Sequence, residues 1–301
     1  MKYRHAFHAG NFADVLKHIT LLALLRSLTK KDKGLLLLDT HAGRGLYDLS
    51  SGESKQSDEA AGGIEQILLI AAQDKSKFSA YPEIDDYLKV VRETRQRSGH
   101  RHAYPGSPLI AIAALRSQDR LTLVETQPAE HAALREAVKT AGRQAREHGG
   151  SPLSVNIECA DGYTRLSAWL PPIERRALVV IDPPYEDHTA DFKAAERSSQ
   201  EALRRLANAV IAIWYPIKQA KETDARRNRL VSSLPPKAGG EPVPVSTLEL
   251  WIHPLDNRVG LNGAGMLIIN PPFQFEDRAR LWLPALHAVL DRHGNGGCAV
   301  R

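Results

Sequence analysis

Ala177-Leu178-Val179-Val180-Ile181-Asp182-Pro183-Pro184-Tyr185 is an apolar, β-type run that stops on an acid and two prolines. Runs of the same kind recur along the chain: Leu35 to Asp39, Leu121 to Glu125, Ser154 to Cys159, Ala209 to Trp214, Ser246 to Ile252 and Gly265 to Asn270. With helical stretches between them, they predict an α/β fold built on a parallel sheet. Asp39, Glu125, Asp161 and Asp182 stand at or just after the ends of four of these runs. The carboxyl ends of parallel strands line the ligand crevice of an open α/β sheet, so the four acids gather on one edge.

The tetrapeptide Asp182-Pro183-Pro184-Tyr185 resembles the acceptor site of enzymes that methylate an exocyclic amino group of a nucleobase. The residue types suit that chemistry. The lone pair of an aromatic amine is drawn into the ring, so hydrogen-bond acceptors on its N–H groups are needed to hold the nitrogen toward an electrophile. Asp182 supplies a carboxylate and Pro183 a carbonyl. Paired prolines fix φ and donate no N–H, which holds that carbonyl in place, and Tyr185 offers a face to a base taken out of its stack. A strand followed by a proline-rich turn is the bland alternative.

A second copy of the pattern, Asn270-Pro271-Pro272-Phe273, follows the run Met266 to Ile269. Seven strands in this rhythm resemble the Rossmann-like class I fold of S-adenosylmethionine-dependent methyltransferases, a seven-stranded sheet whose last strand is antiparallel. That strand's end points away from the crevice, whereas Asp182 ends the fourth strand at the topological switch point. The second copy is therefore expected to be a structural turn.

The composition sets outer bounds. A chain of 301 residues with 43% apolar content can bury a full core. Forty Lys and Arg against 35 Asp and Glu make it mildly basic, which suits a polyanionic partner as well as a solvated surface. Cys159 and Cys298 form no metal-type spacing and no disulfide framework. Without an apolar leader or a run long enough to span a bilayer, a cytoplasmic protein with no membrane contact is expected. A monomer is the expected state.

The first strand leads into Asp39-Thr40-His41-Ala42-Gly43-Arg44-Gly45, where two glycines let the backbone come close to a ligand. The third glycine of a dinucleotide fingerprint is missing, and no Gly-rich loop followed by Lys and Ser/Thr exists, which excludes nucleotide triphosphate chemistry of that type. Gly106-Ser107-Pro108 reads as an N-cap serine before a proline at the first helical position. Such a helix start offers free N–H groups to a carboxylate. Glu125 is placed to take ribose hydroxyls, and Asp161-Gly162 to receive an adenine amino group.

Between the first two strands of the fold the chain carries an insertion of about residues 48–103, with helical spacing at Ile84, Tyr87, Leu88 and Val91. The domain reading is thus residues 1–47 and 104–290 as the Rossmann-like unit, with 1–30 an N-terminal motif and helix, 48–103 a small helical subdomain, and 291–301 a flexible tail. The N-terminal helix, capped by Asn11, puts Val15, Leu16, Ile19, Leu22 and Leu25 on its buried side. The spacings of His5, His8, His18 and His41 match no metal motif, so no metal is expected. Tyr3, Arg4 and Lys17 suit contacts to phosphate or base. The stretch holding Arg95, Arg97 and Arg101 and the basic stretch from Lys218 to Arg229 are further candidates for nucleic-acid contact.

Taken together, Tyr3-Arg4-His5, Phe7-His8-Ala9-Gly10-Asn11, Ala13-Asp14-Val15-Leu16-Lys17-His18, Asp39-Thr40-His41-Ala42-Gly43, Tyr104-Pro105-Gly106-Ser107-Pro108 and Ile181-Asp182-Pro183-Pro184-Tyr185 are similar to the bacterial RlmJ family. The resemblance extends through Trp214-Tyr215-Pro216 and Asn270-Pro271-Pro272. It implies methylation of an adenine N6 in 23S rRNA, at the adenine numbered 2030 in the reference molecule, with S-adenosyl-L-methionine as donor. By the same resemblance His18, His41, Ser107, Glu125, Asp161, Gly162 and Asp182 contact the cofactor. Asp182, Pro183 and Tyr185 form the catalytic acceptor site, Asp182 also taking the proton. Tyr3 contacts the RNA, and His5 and Lys17 are grouped with it. Two alternatives remain open at this point: a DNA adenine-N6 or cytosine-N4 methyltransferase, although no separate target-recognition domain is evident, and a non-catalytic RNA-binding protein.

Overall fold

The computed structural model describes residues 8–51, 59–147, 151–255, 257 and 260–301. Tyr3, Arg4 and His5 lie outside the described residues. In the first half the elements are α1 (Phe12–Leu28), β1 (Leu36–Asp39), β2 (Leu46–Asp48), α2 (Ile64–Gln73), α3 (Pro82–Ser98), β3 (Ala103–Pro105), α4 (Ser107–Ala114), β4 (Arg120–Glu125) and α5 (Pro128–Glu147). The second half continues with β5 (Ser154–Cys159), α6 (Gly162–Trp169), β6 (Ala177–Ile181), α7 (His188–Arg205), β7 (Val210–Ile217), α8 (Ala220–Ser232), β8 (Val245–Trp251), β9 (Gly263–Ile269), α9 (Phe275–Leu290) and β10 (Gly297–Val300).

The main sheet runs in the order β10-β8-β9-β7-β6-β1-β4-β5. From β5 through β4, β1 and β6 to β7 every pairing is parallel, and β9 is antiparallel to both β7 and β8. All seven apolar runs are strands of this sheet, and the last of the seven, β9, is the antiparallel one. The segment expected to be a flexible tail carries an eighth strand, β10, antiparallel to β8. It forms because the open edge of β8 offers unpaired backbone groups. Thr247 and Arg301 exchange backbone hydrogen bonds of 2.7 and 2.9 Å, and the Arg301 guanidinium reaches Glu249 at 2.9 Å.

A period of two sorts the strand side chains onto two faces. Leu37, Leu121, Leu123, Leu178 and Val180 join the core that contains Leu16 and Ile19 of α1, Ile110 of α4 and Trp282 of α9. Leu36, Leu38, Val179, Ile181 and Ile213 join the other, with Leu166 of α6, Phe192 of α7 and Leu230 of α8. The sheet is thus covered on both faces, and β6, buried at every position, runs through its middle.

Asn11 starts α1 by accepting from the backbone of Asp14 at 2.9 Å. The helix was expected to be amphipathic, yet 13 of its 17 residues are buried, among them Asp14, Lys17, His18 and Thr20. The reason is the insertion. β2 and β3 pair antiparallel, with Asp48 opposite Ala103 and Leu46 opposite Pro105, so the insertion leaves and rejoins the fold at one neck. Ile64 and Ile67 of α2 and Ile84, Tyr87, Leu88 and Val91 of α3 then enter the same core as α1. They cover the face of α1 that the sheet leaves open, polar side chains included.

The second proline pair sits at the opposite edge from Asp182, as the antiparallel course of β9 requires. Asn270 has φ +54, its Nδ2 donates to the carbonyls of Ala207 and Ala209 at 3.0 and 2.9 Å, and Phe273 projects into solvent with 88% of its surface exposed. Asn270 closes a turn. Asn270→Ala loses both side-chain bonds and with them what makes the left-handed backbone tolerable there, so urea unfolding should show a stability loss of about 2–3 kcal/mol. An unchanged midpoint would contradict this structural role.

Candidate active site

The carboxyl ends of β1, β4 and β6 meet the starts of α1 and α4. Asp182, one residue beyond β6, has Oδ2 2.7 Å from Lys17 Nζ, and Lys17 Nζ lies 2.7 Å from Asp14 Oδ1 as well. Burial alone would lower the affinity of this lysine for its proton, but Asp14 and Asp182 outweigh it and hold the ammonium well above its ordinary pKa. Lys17 is therefore a fixed cation that fastens Asp182 to α1. Beside it, His18 Nδ1 lies 2.8 Å from the Tyr104 hydroxyl, which lies 3.0 Å from that of Tyr87.

At the end of β1, Asp39 is 1% exposed. Its Oδ2 accepts from Ser107 Oγ at 2.7 Å and its Oδ1 from the backbone N–H of His41 at 3.2 Å. Burial raises its pKa to about 6, against the pull of those two donors. Thr40 Oγ1 donates to the Val180 carbonyl at 2.8 Å, so the 2.8 Å contact with His41 Nδ1 assigns that nitrogen as the donor to the hydroxyl. Burial pulls the His41 pKa down to about 4, with Asp182 and Asp161 opposing, which leaves the ring neutral at pH 7 with its lone pair on Nε2. The ring stands edge-on to Tyr163, with centroids 4.9 Å apart.

Glu125, at the end of β4, accepts from the backbone N–H of Gly43 at 2.9 Å and of Gln127 at 2.7 Å, one on each oxygen. Burial raises its pKa and those donors oppose the shift. A methyl group at Gly43 (φ +62) would lie 2.4 Å from the Tyr47 hydroxyl, and one at Gly162 2.0 Å from the Thr40 carbonyl. Only glycine fits either place. Arg44 clamps Glu130 bidentately, with both bonds at 2.8 Å.

These residues enclose two adjoining voids. A narrow groove of about 100 Å³ is lined by His41, Gly43, Ser107 and Glu125, and a wide cavity of about 750 Å³ by Asn11, Tyr185, Trp214 and Lys218 among others. Lys17, Asp182 and Pro184 line both. Asp182 thus stands where a polar, glycine-walled groove opens into a chamber large enough for an aromatic base.

Comparison with known proteins adds the family. The family model described as "Ribosomal RNA large subunit methyltransferase D, RlmJ" matches residues 32–301. The chain is 38% identical over 300 residues to ribosomal RNA large subunit methyltransferase J of Escherichia coli (strain K12), covering 100% of this chain and 98% of that protein. The corresponding protein of Haemophilus influenzae is 36% identical over the same shares. This chain belongs to the RlmJ family. A crystal structure of a family-sized protein from Legionella pneumophila, 33% identical, superimposes with a TM-score of 0.79 over 98% of each chain.

Within this RlmJ framework, His18, His41, Ser107, Glu125, Asp182 and Pro183 line the groove. Asp161 and Gly162 do not. Asp161 Oδ1 caps α6 through the backbone N–H groups of Tyr163 and Thr164 at 2.8 and 3.4 Å. Ser107 is no N-cap: Gly106 caps α4, and the serine hydroxyl is spent on Asp39. Lys17, grouped with the RNA-contacting residues, is instead buried in two ion pairs. Tyr185 lines the wide cavity with little of its ring open to it. It is 4% exposed, packed against Phe192, Trp214 and His188 with centroids 5.2, 5.7 and 5.8 Å away, and its hydroxyl donates to the Trp214 carbonyl at 2.8 Å. Arg95 is held by Glu65 at 2.6 Å and Arg97 by Glu93 at 3.0 Å, so neither is a bare cation.

Sequence reasoning missed Asp39 as a site residue, although its position at a strand end marked it among the crevice acids. Its raised pKa makes a thermodynamic prediction. A carboxyl that binds its proton more tightly when folded adds stability that is complete below its ordinary pKa and is lost as pH rises through about 6. Asp39→Asn removes that titration. Its stability relative to the parent should therefore rise by about 1–2 kcal/mol between pH 5 and pH 8 in urea unfolding; a difference independent of pH would refute the assignment.

Proposed function

We propose that this chain methylates the N6 amine of one adenine in 23S ribosomal RNA, the adenine numbered 2030 in the reference molecule, using S-adenosylmethionine. The observation that carries the reading is the position of Asp182 at the junction of groove and cavity, joined to membership of a family described as ribosomal RNA large subunit methyltransferases.

The donor set of the groove fits the cofactor. Glu125 is oriented by two backbone donors and keeps a free lone pair on each oxygen for ribose hydroxyls. Gly43 lets a ligand approach the backbone where any side chain would collide with Tyr47. The start of α4 at Gly106 and Ser107 lines the same groove and favours a carboxylate, and neutral His41 adds an acceptor at Nε2. When bound, S-adenosylmethionine supplies an electrophilic methyl group on its sulfonium.

The remaining work belongs to the protein. Lys17 occupies Asp182 Oδ2, which leaves Oδ1 to accept one N–H of the adenine amine, while the Pro183 carbonyl accepts the other. Two fixed acceptors orient the nitrogen toward the groove, and orientation of this kind replaces a large part of the entropic barrier. The amine nitrogen becomes acidic only as its new bond to carbon forms, so Asp182 receives the proton without needing to be a strong base. Tyr185 holds the chamber wall behind it. Unstacking an unpaired adenine costs less than opening a helix, which favours a loop or helix end as target.

The scheme needs no metal and no second subunit. With ribosomal RNA as substrate the protein acts in the cytoplasm, and among the described residues no helix is long and apolar enough to cross a membrane.

Labelled methyl transfer to ribosomal RNA from a strain lacking the gene tests the reading, with nucleoside mapping of the product. Asp182→Ala should lower the rate by roughly a thousandfold or more while far-UV circular dichroism stays unchanged, since Asp14 still pairs Lys17. A folded and active Asp182→Ala enzyme, or label in DNA and not in RNA, would sink it.

A further inference from the structure

Two tyrosine hydroxyls behind the site have no part in the scheme above. Tyr87 of α3 and Tyr104 of β3 are fully buried and line neither the groove nor the wide cavity. Their rings belong to the core that the insertion builds over α1, a place that phenylalanine would fill equally well. A hydroxyl taken out of water costs free energy unless it is hydrogen-bonded, so its partners show what it does there.

The Tyr104 hydroxyl lies 2.8 Å from His18 Nδ1 and 3.0 Å from the hydroxyl of Tyr87. Asp14 is its third partner: burial and then the charge of that carboxylate hold the Tyr104 pKa well above its ordinary value, and a hydrogen bond to Asp14 adds to the shift. A phenol has one hydrogen to give and lone pairs to accept with. The hydrogen goes to the carboxylate, the strongest acceptor within reach, which leaves the oxygen to accept from the Tyr87 hydroxyl and from His18. The arrangement assigns a hydrogen to Nδ1 of His18.

Asp14 and His18 are the partners of Tyr104 that belong to the site. His18 lines the groove. Asp14 holds Lys17 Nζ at 2.7 Å, and Lys17 holds Asp182 at 2.7 Å in turn, while the backbone N–H of Gly10 donates to the other Asp14 oxygen at 3.0 Å. Buried polar groups linked in this way restrain one another. We propose that Tyr104 is a positioning residue for methyl transfer: its hydroxyl fixes the Asp14 carboxylate, and through it the Lys17 ammonium and the oxygens of Asp182, while Tyr87 carries the restraint into the insertion. The inference rests on the function proposed above. It makes α3 part of the alignment of the acceptor carboxylate, although α3 touches neither the groove nor the wide cavity. The restraint enters at the neck of the insertion, where Tyr104 pairs with Tyr47.

Labelled methyl transfer to an RNA hairpin carrying the target adenine, assayed far below each variant's unfolding midpoint, tests this role. Tyr104→Phe keeps the ring and removes the hydroxyl; kcat should fall about ten- to hundredfold with KM for the hairpin within about twofold. Tyr87→Phe, one bond further from Asp182, should lower kcat about threefold, and it carries the test by itself if Tyr104→Phe does not fold. In an Asp14→Asn background, adding Tyr104→Phe should change kcat by no more than about twofold, because both changes act through Lys17. Nitrogen NMR of histidine-labelled protein should find the His18 hydrogen on Nδ1 in the parent and on Nε2 in Tyr104→Phe. A hydroxyl that serves stability alone would lower the unfolding midpoint and leave kcat in place. Parent-like kcat in the phenylalanine variants, losses that multiply in the double variant, or a parent His18 without a hydrogen on Nδ1 overturns the positioning role while the parent enzyme still methylates the RNA. A parent enzyme that transfers no methyl group to RNA overturns the underlying function and this role together.

Discussion

Lys17 is the charge around which the site is arranged. Its ammonium bridges Asp14 of its own helix and Asp182 at the end of the central strand, and it is almost without solvent. A buried cation of this kind is tolerable only when paired, and removing a partner from such a pair typically costs about 3–5 kcal/mol. The pairing therefore constrains more than itself. It fixes how α1 lies across the sheet, fixes the Asp182 carboxylate with one oxygen spoken for, and sets the boundary between the groove and the cavity. The insertion serves the same end. By covering the outer face of α1 it removes the water that would otherwise screen the pair, which strengthens the attraction.

Strand order is the second constraint. Two copies of one local pattern, at Asp182 and at Asn270, follow apolar strands, and local chemistry does not separate them. β6 runs parallel to β1 and delivers Asp182 to the crevice, whereas β9 runs antiparallel to β7 and delivers Asn270 to the far edge. There the asparagine closes a turn on two backbone carbonyls. The same four residue types are an acceptor site at one end of the sheet and a structural turn at the other.

Much of the site was legible because its chemistry sits at strand ends. Glu125 and Asp182 were marked by the apolar runs that stop at them, and Gly43 by its turn. Lys17 was not, since a lysine on a helix reads as a solvent-facing charge until something covers that face, and the cover comes from residues about 50 to 80 positions further on. Tyr185 was assigned a stacking surface because an aromatic after two prolines has no sequence-level sign of burial; Phe192, His188 and Trp214 supply that burial from α7 and β7. Ser107 looked like a cap because local spacing favours one, yet Asp39, 68 positions away, takes its hydroxyl.

By itself the sequence determined the α/β class, the seven principal strands, the insertion and the acids that meet at the crevice, because hydrophobic periodicity and strand-end chemistry are local properties. Tertiary structure alone decided which charges are buried, which aromatic rings are exposed, that the C-terminal residues pair with β8, and that the groove and the cavity meet at Asp182. Those outcomes depend on which distant segment covers which face, and burial, ion pairing and the shape of a void arise only once that cover is in place.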